Sequence, residues 1–267
     1  MKKKSKKIVA LLATLGLGFT LFGQSTSAIT YGNPDGGKHK NVGALIIEED
    51  GEKRHICTGT LISEDVFLTA SHCTEFLPEE NEVWVSFDEN VEDAANATLH
   101  SGKAVTNPAY TQRQNDTGDI AVVLLEHPIK DIKPATLPTA GLFDQLAAKG
   151  KLKDQKFTAV GYGVKEPVNQ PGGADFPYDG NRNVSVSEYN ALNETWLRLN
   201  QNAAAGNSGT CFGDSGGPNF FGSGENETNM IAGITVTGDM MCIATNATYR
   251  LDTPSARNFL DKYVDLP

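Results

Sequence analysis

The chain is made up largely of short apolar runs separated by turn-forming residues, and this pattern constrains the fold more than any other feature. Each run is only a few residues long, which is typical of β-strands. Gly, Pro, Asn and Asp separate the runs, and no regular alternation with helices is apparent. The pattern therefore predicts an all-β protein built as a sandwich or barrel. The predicted strands cover residues 42–48, 54–62, 66–70, 82–87, 120–125, 156–160, 194–199, 230–236 and 247–251, and a long surface loop is predicted at 163–182.

One segment near the carboxyl end has the features of a helix. Thr253 is a favourable N-cap residue, and Pro254 suits the first helical position. Leu260, Tyr263 and Val264 then recur at helical spacing. The sequence therefore predicts a terminal helix, and it is the one helix that we predict.

The composition allows a substantial core and argues against one class of partner. Hydrophobic residues make up 39% of the 267 residues and charged residues 21%, which suits a folded protein rather than a disordered one. The formal net charge is −10. An acidic chain of this kind lacks the basic surface that binds phosphates, so we expect no nucleic-acid partner.

The first 28 residues have the layout of a secretory signal peptide. A head rich in lysine precedes an apolar run at 8–22, and small residues at 25–28 end with Ala28. The alternative is a membrane anchor, but the run is shorter than the roughly 20 apolar residues that span a bilayer. We expect cleavage after Ala28, secretion of an acidic product, and no membrane partner once the signal is removed.

Four cysteines, Cys57, Cys73, Cys211 and Cys242, would enter an oxidising compartment after export. Four cysteines allow three pairings, and the sequence alone does not choose among them. Proximity along the chain favours Cys57 with Cys73 and Cys211 with Cys242. The first bridge would hold the segment around His72, and the second would brace a loop near Ser215.

A serine flanked by glycines, Ser215, suggests an exposed nucleophile beside free backbone N–H groups. A serine hydroxyl attacks an amide only with a base within hydrogen-bond reach. His72 follows Thr-Ala-Ser and precedes a cysteine, and Asp119 directly precedes an apolar run. Histidine can accept and return a proton near neutral pH, and a carboxylate fixes its tautomer. We therefore predict Ser215 as nucleophile, His72 as base and Asp119 as the orienting carboxylate.

Other residues in the chain fit these roles less well. Asp116 is the alternative to Asp119, but it does not directly precede the strand, so we expect a turn residue. The remaining histidines lie in no comparable motif: they are His39, His55, His100 and His127.

The three stretches around His72, Asp119 and Ser215, in that order, resemble the trypsin/chymotrypsin family of serine endopeptidases. The resemblance covers most of the chain after residue 28. It implies two antiparallel six-stranded β-barrels with a C-terminal helix, and the same two disulfides that proximity favours. We expect the first barrel at 29–133 and the second at 134–267.

The resemblance also implies roles for residues around the nucleophile. Backbone N–H groups of Gly213 and Ser215 would form the oxyanion hole. Cleavage after Ala28 would expose Ile29, whose α-ammonium would pair with Asp214, so that signal removal itself would mature the enzyme.

The primary specificity pocket would have Gly209 at its base, with Thr210, Gly238 and Ala247 in its walls. Trypsin-like enzymes carry an aspartate at the base, so Gly209 does not support a preference for lysine or arginine. Asp239 near the mouth could still attract a basic side chain. Val236 stands where many relatives have a serine that contacts the orienting carboxylate.

We therefore expect a secreted, monomeric serine endopeptidase acting on polypeptides. An alternative is a binding protein on a protease scaffold that has lost turnover. An α/β-hydrolase is excluded because its triad runs Ser, acid, His.

No zinc spacing is apparent, and we expect no required cofactor. An acidic cluster offers oxygen ligands of the kind that calcium prefers, although such a run is more often a solvated face. The cluster consists of Glu79, Glu80, Glu82, Asp88 and Glu89.

Overall fold

The computed structural model describes residues 29–77, 82–111, 113 and 116–267. Its strands form two closed, six-stranded antiparallel barrels, which confirms the predicted fold class. The predicted signal peptide lies outside the described residues. Among the described residues, no helix is long and apolar enough to cross a bilayer.

The first barrel follows a two-residue strand, β1 (Asn33–Pro34). Its six strands are β2 (Val42–Glu49), β3 (Glu52–Leu61), β4 (Val66–Thr69), β5 (Glu82–Ser86), β6 (His100–Thr106) and β7 (Ala121–Leu125). The barrel closes in the order β2-β3-β4-β7-β6-β5. Buried side chains such as Leu45, Phe67 and Val122 fill its interior, because alternate residues of a barrel strand point inwards.

The second barrel uses later parts of the chain. Its strands are β8 (Lys156–Gly161), β11 (Asn183–Leu192), β12 (Trp196–Asn200), β13 (Pro218–Phe221), β14 (Ile231–Gly238) and β15 (Thr245–Arg250). It closes through the pairing of β8 with β11. A hairpin of β9 (Val168–Gln170) and β10 (Gly173–Asp175) lies inside the predicted loop. Strand β1 pairs with β11, so the start of the described chain joins the second barrel.

Two α-helices lie in the described part of the chain. Helix α2 (Pro254–Leu260) is the predicted terminal helix, and the Thr253 side chain accepts the Ala256 N–H as its cap. Helix α1 (Leu142–Ala148) was not predicted from the sequence. Short 3₁₀ segments occur at Ser71–Cys73, Ala203–Ala205 and Gly224–Asn226.

All nine predicted strand segments overlap strands of the barrels, whereas β6, β11 and β13 were missed. Strand β6 has no apolar run, and only one of its seven residues is fully buried. It is a strand because it pairs with β5 on one side and β7 on the other.

A buried arginine connects the two barrels. Arg182, which precedes β11, donates from Nε to Asp35 at 3.0 Å. Its Nη1 donates to the carbonyl oxygens of Val42 and Phe87 in the first barrel, and to the Tyr162 hydroxyl beside β8. A buried guanidinium of this kind is stable only when its donors are satisfied.

Asp35 also contacts a histidine that no motif singled out. His39 hydrogen-bonds Asp35 through Nδ1 and Glu227 through Nε2, the latter at 2.7 Å. Its ring stacks on Phe220 with centroids 5.4 Å apart. His39 therefore joins the segment before β2 to the loop after β13.

Candidate active site

His72 and Asp119 meet because the strands that carry them are neighbours. Strand β4 pairs with β7 so that Thr69 lies opposite Ala121. His72 lies in the 3₁₀ segment just after β4, and Asp119 lies just before β7. Nδ1 of His72 is 2.9 Å from Oδ2 of Asp119, and the His72 backbone N–H donates to Oδ1 at 3.0 Å.

Asp119 is almost completely buried, with 3% of its surface exposed. Both side-chain hydrogen bonds that it accepts from the described residues come from His72. No hydroxyl donates to the Asp119 carboxylate among the described residues, which agrees with valine at position 236, where many relatives have a serine. The carboxylate binds Nδ1, so it fixes the tautomer and leaves Nε2 free to work as a base.

Asp116, the alternative to Asp119, has different partners. It accepts the Gly118 N–H at 3.1 Å and the Tyr249 hydroxyl at 3.0 Å. The first of these bonds closes a turn, as the sequence predicts for Asp116.

The loop that carries Ser215 packs against the His72 segment. The Thr58 N–H donates to the Ser215 carbonyl oxygen at 2.9 Å, and Sγ of Cys73 lies 3.9 Å from the same oxygen. A Cβ on Gly216 would lie 2.2 Å from Oγ1 of Thr69, so the close approach requires glycine here. The Ser215 loop therefore packs against β3 and against the residues on either side of His72.

The Ser215 hydroxyl makes no hydrogen bond with the described residues, and neither does Nε2 of His72. Bonds between nucleophile and base are often long in unliganded enzymes and tighten when substrate binds. Both groups are thus available to a substrate.

Gly213 has a backbone conformation that glycine adopts without strain. Its φ is +95°, and a Cβ would lie 3.0 Å from Cα of Gly163. The Thr58 hydroxyl donates to the Gly213 carbonyl oxygen at 2.9 Å and accepts the Tyr162 N–H. The N–H groups of Gly213 and Ser215 find no acceptor in the described part of the chain.

Asp214 is completely buried. Its carboxyl accepts the N–H groups of Cys211 and Gly163, each at 2.8 Å. Burial nevertheless raises the pKa of this carboxyl to about 7. No Lys, Arg or His among the described residues forms an ion pair with Asp214.

Ile29 is also completely buried. The next residue, Thr30, exchanges two backbone hydrogen bonds with Gly209, both 3.0 Å long. Gly209 lies two residues before Cys211, whose N–H binds Asp214. The start of the described chain therefore runs beside the segment that leads to the nucleophile.

Both disulfides have the predicted pairing. Cys57 is bonded to Cys73, and Cys211 to Cys242. The first joins β3 to the His72 segment, and the second ties the Ser215 loop to the loop between β14 and β15. The Cys57 and Cys73 sulfurs lie near His72, but as a disulfide they offer no thiolate to a metal.

A cavity of about 240 Å³ opens beside Ser215, between residues 210–212 and 235–242. Of the four residues predicted for the specificity pocket, Thr210 and Gly238 line this cavity, whereas Gly209 and Ala247 do not. A side chain on Gly209 would collide with Gln201, since a Cβ there would lie 2.1 Å from Oε1. Gln201 thus fills the space behind the pocket, and no motif identified it.

Asp239 lines the mouth of the cavity, but its carboxylate faces its own loop. Oδ1 accepts the N–H groups of Ala244 and Thr245 at 2.8 Å, and Oδ2 accepts that of Ile243 at 3.1 Å. Burial raises the pKa of Asp239, but these backbone bonds outweigh it and lower the pKa overall. Asp239 is therefore ionised, with lone pairs already used.

The acidic cluster considered for calcium lies partly outside the described residues, which do not include Glu79 and Glu80. Within them, Asp88 accepts the Thr98 N–H, and Glu89 lies 3.9 Å from Arg182. Calcium binding here stays a prediction.

Comparison with known proteins finds similarity to serine proteases. The Trypsin family model matches residues 34–261. CLIP domain-containing serine protease B15 of Anopheles gambiae is 28% identical over 203 residues, which are 66% of this chain and 53% of that protein. Snake venom serine protease KN1 of Trimeresurus stejnegeri is 25% identical over 224 residues, or 79% of each chain. Ovochymase of Halocynthia roretzi is 26% identical over 208 residues, which are 69% of this chain and 12% of that protein.

The chain thus spans about half of the mosquito protein and a small part of the ovochymase. The family model, in contrast, matches nearly the whole described chain. Two antiparallel barrels with a histidine–carboxylate pair beside a glycine-flanked serine define a class of serine proteases. The chain belongs to the trypsin family.

Proposed function

We propose that the protein is a serine endopeptidase that hydrolyses peptide bonds through an acyl-enzyme on Ser215. The observation that carries this proposal is the bond from His72 Nδ1 to the buried Asp119, beside a loop that presents Ser215. The pair holds a neutral imidazole with Nε2 as a proton acceptor. Free N–H groups at Gly213 and Ser215 support the same reading.

In the first step, Oγ of Ser215 attacks the carbonyl carbon of the scissile bond while Nε2 of His72 takes the hydroxyl proton. The carbonyl oxygen becomes an oxyanion, which accepts hydrogen bonds from the N–H groups of Gly213 and Ser215. Thr58 supports this step, because its hydroxyl holds the Gly213 peptide in place.

The tetrahedral intermediate then collapses. His72 returns its proton to the leaving amine, the peptide bond breaks, and Ser215 remains as an ester. A water molecule repeats the sequence with His72 as base, which releases the carboxylic acid and restores the serine. Asp119 stays ionised throughout and stabilises the imidazolium.

Maturation would follow from removal of residues 1–28. The new α-ammonium of Ile29 would supply the cation that the buried Asp214 lacks. Two findings support this proposal: Ile29 is already buried, and the pKa of Asp214 is raised by burial. Edman sequencing of the secreted protein tests it, and a start well beyond Ile29 contradicts it.

We further propose that the protein acts as a secreted monomer on polypeptides. Two disulfides suit an oxidising extracellular compartment. The apolar run at 8–22 supports export.

A second candidate is a binding protein without turnover. It is favoured by one observation: no hydrogen bond joins Ser215 to His72 among the described residues. Binding would then use the same cleft, and no acyl-enzyme would form.

The test is covalent labelling of Ser215 with an organofluorophosphonate, together with turnover of casein. We expect stoichiometric labelling and turnover in the native protein, and loss of both in Ser215→Ala. Ser63→Ala is the control, because its hydroxyl contacts only Asp65 in the first barrel. Labelling of another residue, or full turnover by Ser215→Ala, contradicts the proposal. A folded protein that resists both assays supports the binding alternative.

A further inference from the structure

The cavity beside Ser215 has a mixed lining, in which the side chains of Phe212, Val236 and Met240 stand beside three threonines. Among the described residues, no lysine, arginine or histidine lines the cavity, and the one carboxylate in its lining is Asp239, at the mouth. The Asp239 carboxylate is occupied by three backbone N–H groups. A basic side chain entering the cavity would thus meet no free carboxylate at depth.

Thr235 lies in the wall of this cavity and is 5% exposed. Its Oγ1 accepts hydrogen bonds from Nδ2 of Asn219 at 3.0 Å and from Nδ2 of Asn246 at 3.4 Å. The Asn219 amide is oriented by its neighbours, because Nδ2 also faces the Gly233 carbonyl oxygen and Oδ1 accepts from Asn246. Both amides are donors towards Thr235, so both lone pairs of its hydroxyl are used.

The hydroxyl proton of Thr235 has no acceptor among the described residues. Because Thr235 lines the cavity, a ligand bound there can supply the acceptor that this proton lacks. A buried donor without a partner is costly and favours a ligand that accepts from it. Thr235 therefore acts as a hydrogen-bond donor towards the cavity.

Thr210 lines the same cavity, but its hydroxyl offers a hydrogen-bond acceptor where Thr235 offers a donor. Its backbone N–H and its hydroxyl both donate to Oε1 of Gln201. Because a backbone N–H only donates, the Gln201 atom that it meets must be the carbonyl oxygen. The proton of the Thr210 hydroxyl is thus committed to Gln201, and the lone pairs of Oγ1 remain for a ligand.

One donor and one acceptor, in a cavity whose only carboxylate is already bonded to backbone N–H groups among the described residues, match a carboxamide. We propose that the cavity selects a glutamine or asparagine side chain on the amino side of the cleaved bond. The side-chain carbonyl accepts from Thr235, and its NH₂ group donates to Thr210. This inference rests on the proposed peptidase function and names its substrate class.

Other side chains match the cavity less well. A carboxylate has no proton for Thr210 and brings a second negative charge near Asp239. An ammonium group has no acceptor for the Thr235 proton. An aliphatic side chain offers no acceptor to the Thr235 proton and no donor to the Thr210 lone pairs, and sites built for hydrogen bonds reject such analogues strongly.

The first experiment measures kcat/KM for five fluorogenic peptides that differ only in this residue: Gln, Asn, Glu, Lys and Leu. We expect the better of Gln and Asn to exceed Glu, Lys and Leu at least tenfold. Faster cleavage of the Glu, Lys or Leu peptide overturns the proposal. Organofluorophosphonate labelling distinguishes failure of this inference from failure of the proposed peptidase function. Labelled protein that prefers Leu refutes only the carboxamide preference. Unlabelled, inactive protein refutes the peptidase function and this inference with it.

The second experiment removes each hydroxyl. Thr235→Val and Thr210→Val should each lower the ratio of carboxamide to Leu cleavage about tenfold, and Thr235→Ser should keep it. The control is Thr60→Val, a buried threonine of the first barrel whose hydroxyl has no partner. An unchanged ratio in both valine variants overturns the proposal.

Peptide binding can be measured without turnover, in a protein that keeps Thr235 and its hydrogen-bond partners unchanged. In the Ser215→Ala protein, a product peptide ending in Gln or Asn should bind at least tenfold more tightly than one ending in Leu, as measured by calorimetry. Equal affinities overturn the proposal.

Discussion

The hydroxyl of Ser71 donates a 2.8 Å hydrogen bond to the carbonyl oxygen of Ile120. It also accepts the Asn107 N–H at 3.2 Å. Ser71 immediately precedes His72, and Ile120 immediately follows Asp119. This completely buried hydroxyl therefore fastens the backbone of the candidate base to that of its carboxylate.

Replacing Ser71 with alanine leaves the Ile120 carbonyl and the Asn107 N–H without this partner. We expect Ser71→Ala to lower the free energy of unfolding by about 1–3 kcal/mol, the usual cost of unsatisfied buried groups. Less exact placement of His72 should lower kcat several-fold with little change in KM. Urea unfolding and steady-state kinetics measure the two effects. Ser101→Ala removes an exposed hydroxyl bonded to Glu126 and is the control. Unaltered kcat in Ser71→Ala contradicts the positioning role.

Gly213 should tolerate no side chain. Its φ of +95° disfavours alanine, and a Cβ would crowd Gly163 and the ring of His55. The peptide must then move, which displaces an oxyanion donor. We expect Gly213→Ala to lower kcat by about 10²–10³, the typical cost of losing such a donor.

The matched control for this change is Gly206→Ala. Gly206 also has a positive φ, +81°, but a Cβ there would meet nothing within 4 Å. It should suffer similar backbone strain without loss of kcat. Equal losses in the two variants would show that strain alone, and not the oxyanion site, explains the effect.

The cluster around His39 should make stability depend on pH. Burial lowers the pKa of His39, but hydrogen bonds to Asp35 and Glu227 outweigh it, so the pKa is raised above 6.5. The folded protein thus holds the proton more tightly than the unfolded chain. This stabilisation is fully present below about pH 6.5 and is lost as pH rises through the folded pKa. We expect the unfolding free energy to fall as the pH rises above about 6.5.

His39→Gln should remove this fall, whereas His127→Gln, a change at an exposed residue, should retain it. Guanidinium unfolding at several pH values provides the measurement.

At acid pH, the carboxylates of this cluster make stability depend on pH in the opposite direction. Burial raises the pKa values of Asp35 and Glu227, but His39 outweighs it, and both are about 2. Their contribution is present above about pH 4.5 and lost as pH falls through 2.

The pH dependence of stability should show whether Asp214 is paired with a free amino terminus at Ile29. While residues precede Ile29, the carboxyl has a folded pKa of about 7 against an ordinary 3.8. The folded protein then binds the extra proton, so stability falls as pH rises from about 4 to 7. A free Ile29 ammonium would favour the ionised form, and this fall should disappear.

The measurement compares two chains released from cleavable fusions, one starting at Ile29 and one that retains Ala28. Each is unfolded at pH 4, 5, 6 and 7. Asp214→Asn in the longer chain is the control and should remove the pH dependence there. Identical pH profiles for both starting points contradict the ion pair.

The amino-acid sequence predicted nine of the twelve barrel strands, because these strands carry local signals, whereas the two-barrel arrangement came from the family resemblance. Strand β7 is an unbroken apolar run, and the Thr253 cap marks the start of α2. Strand β6 carries no such signal, because its partners on both sides determine its conformation. Helix α1 is short and begins at Gly141, which offers no side-chain cap.

For the site, the sequence predicted His72, Asp119 and Ser215, because each stands in a motif whose chemistry needs that residue type. The groups that position these side chains could be identified only from the tertiary structure. The roles of the Ser71 hydroxyl, the Gln201 amide and the Thr235 hydroxyl follow from hydrogen-bond partners that lie on other segments of the fold. Such hydrogen bonds depend on how the strands of each barrel pair, and local sequence patterns do not predict that pairing.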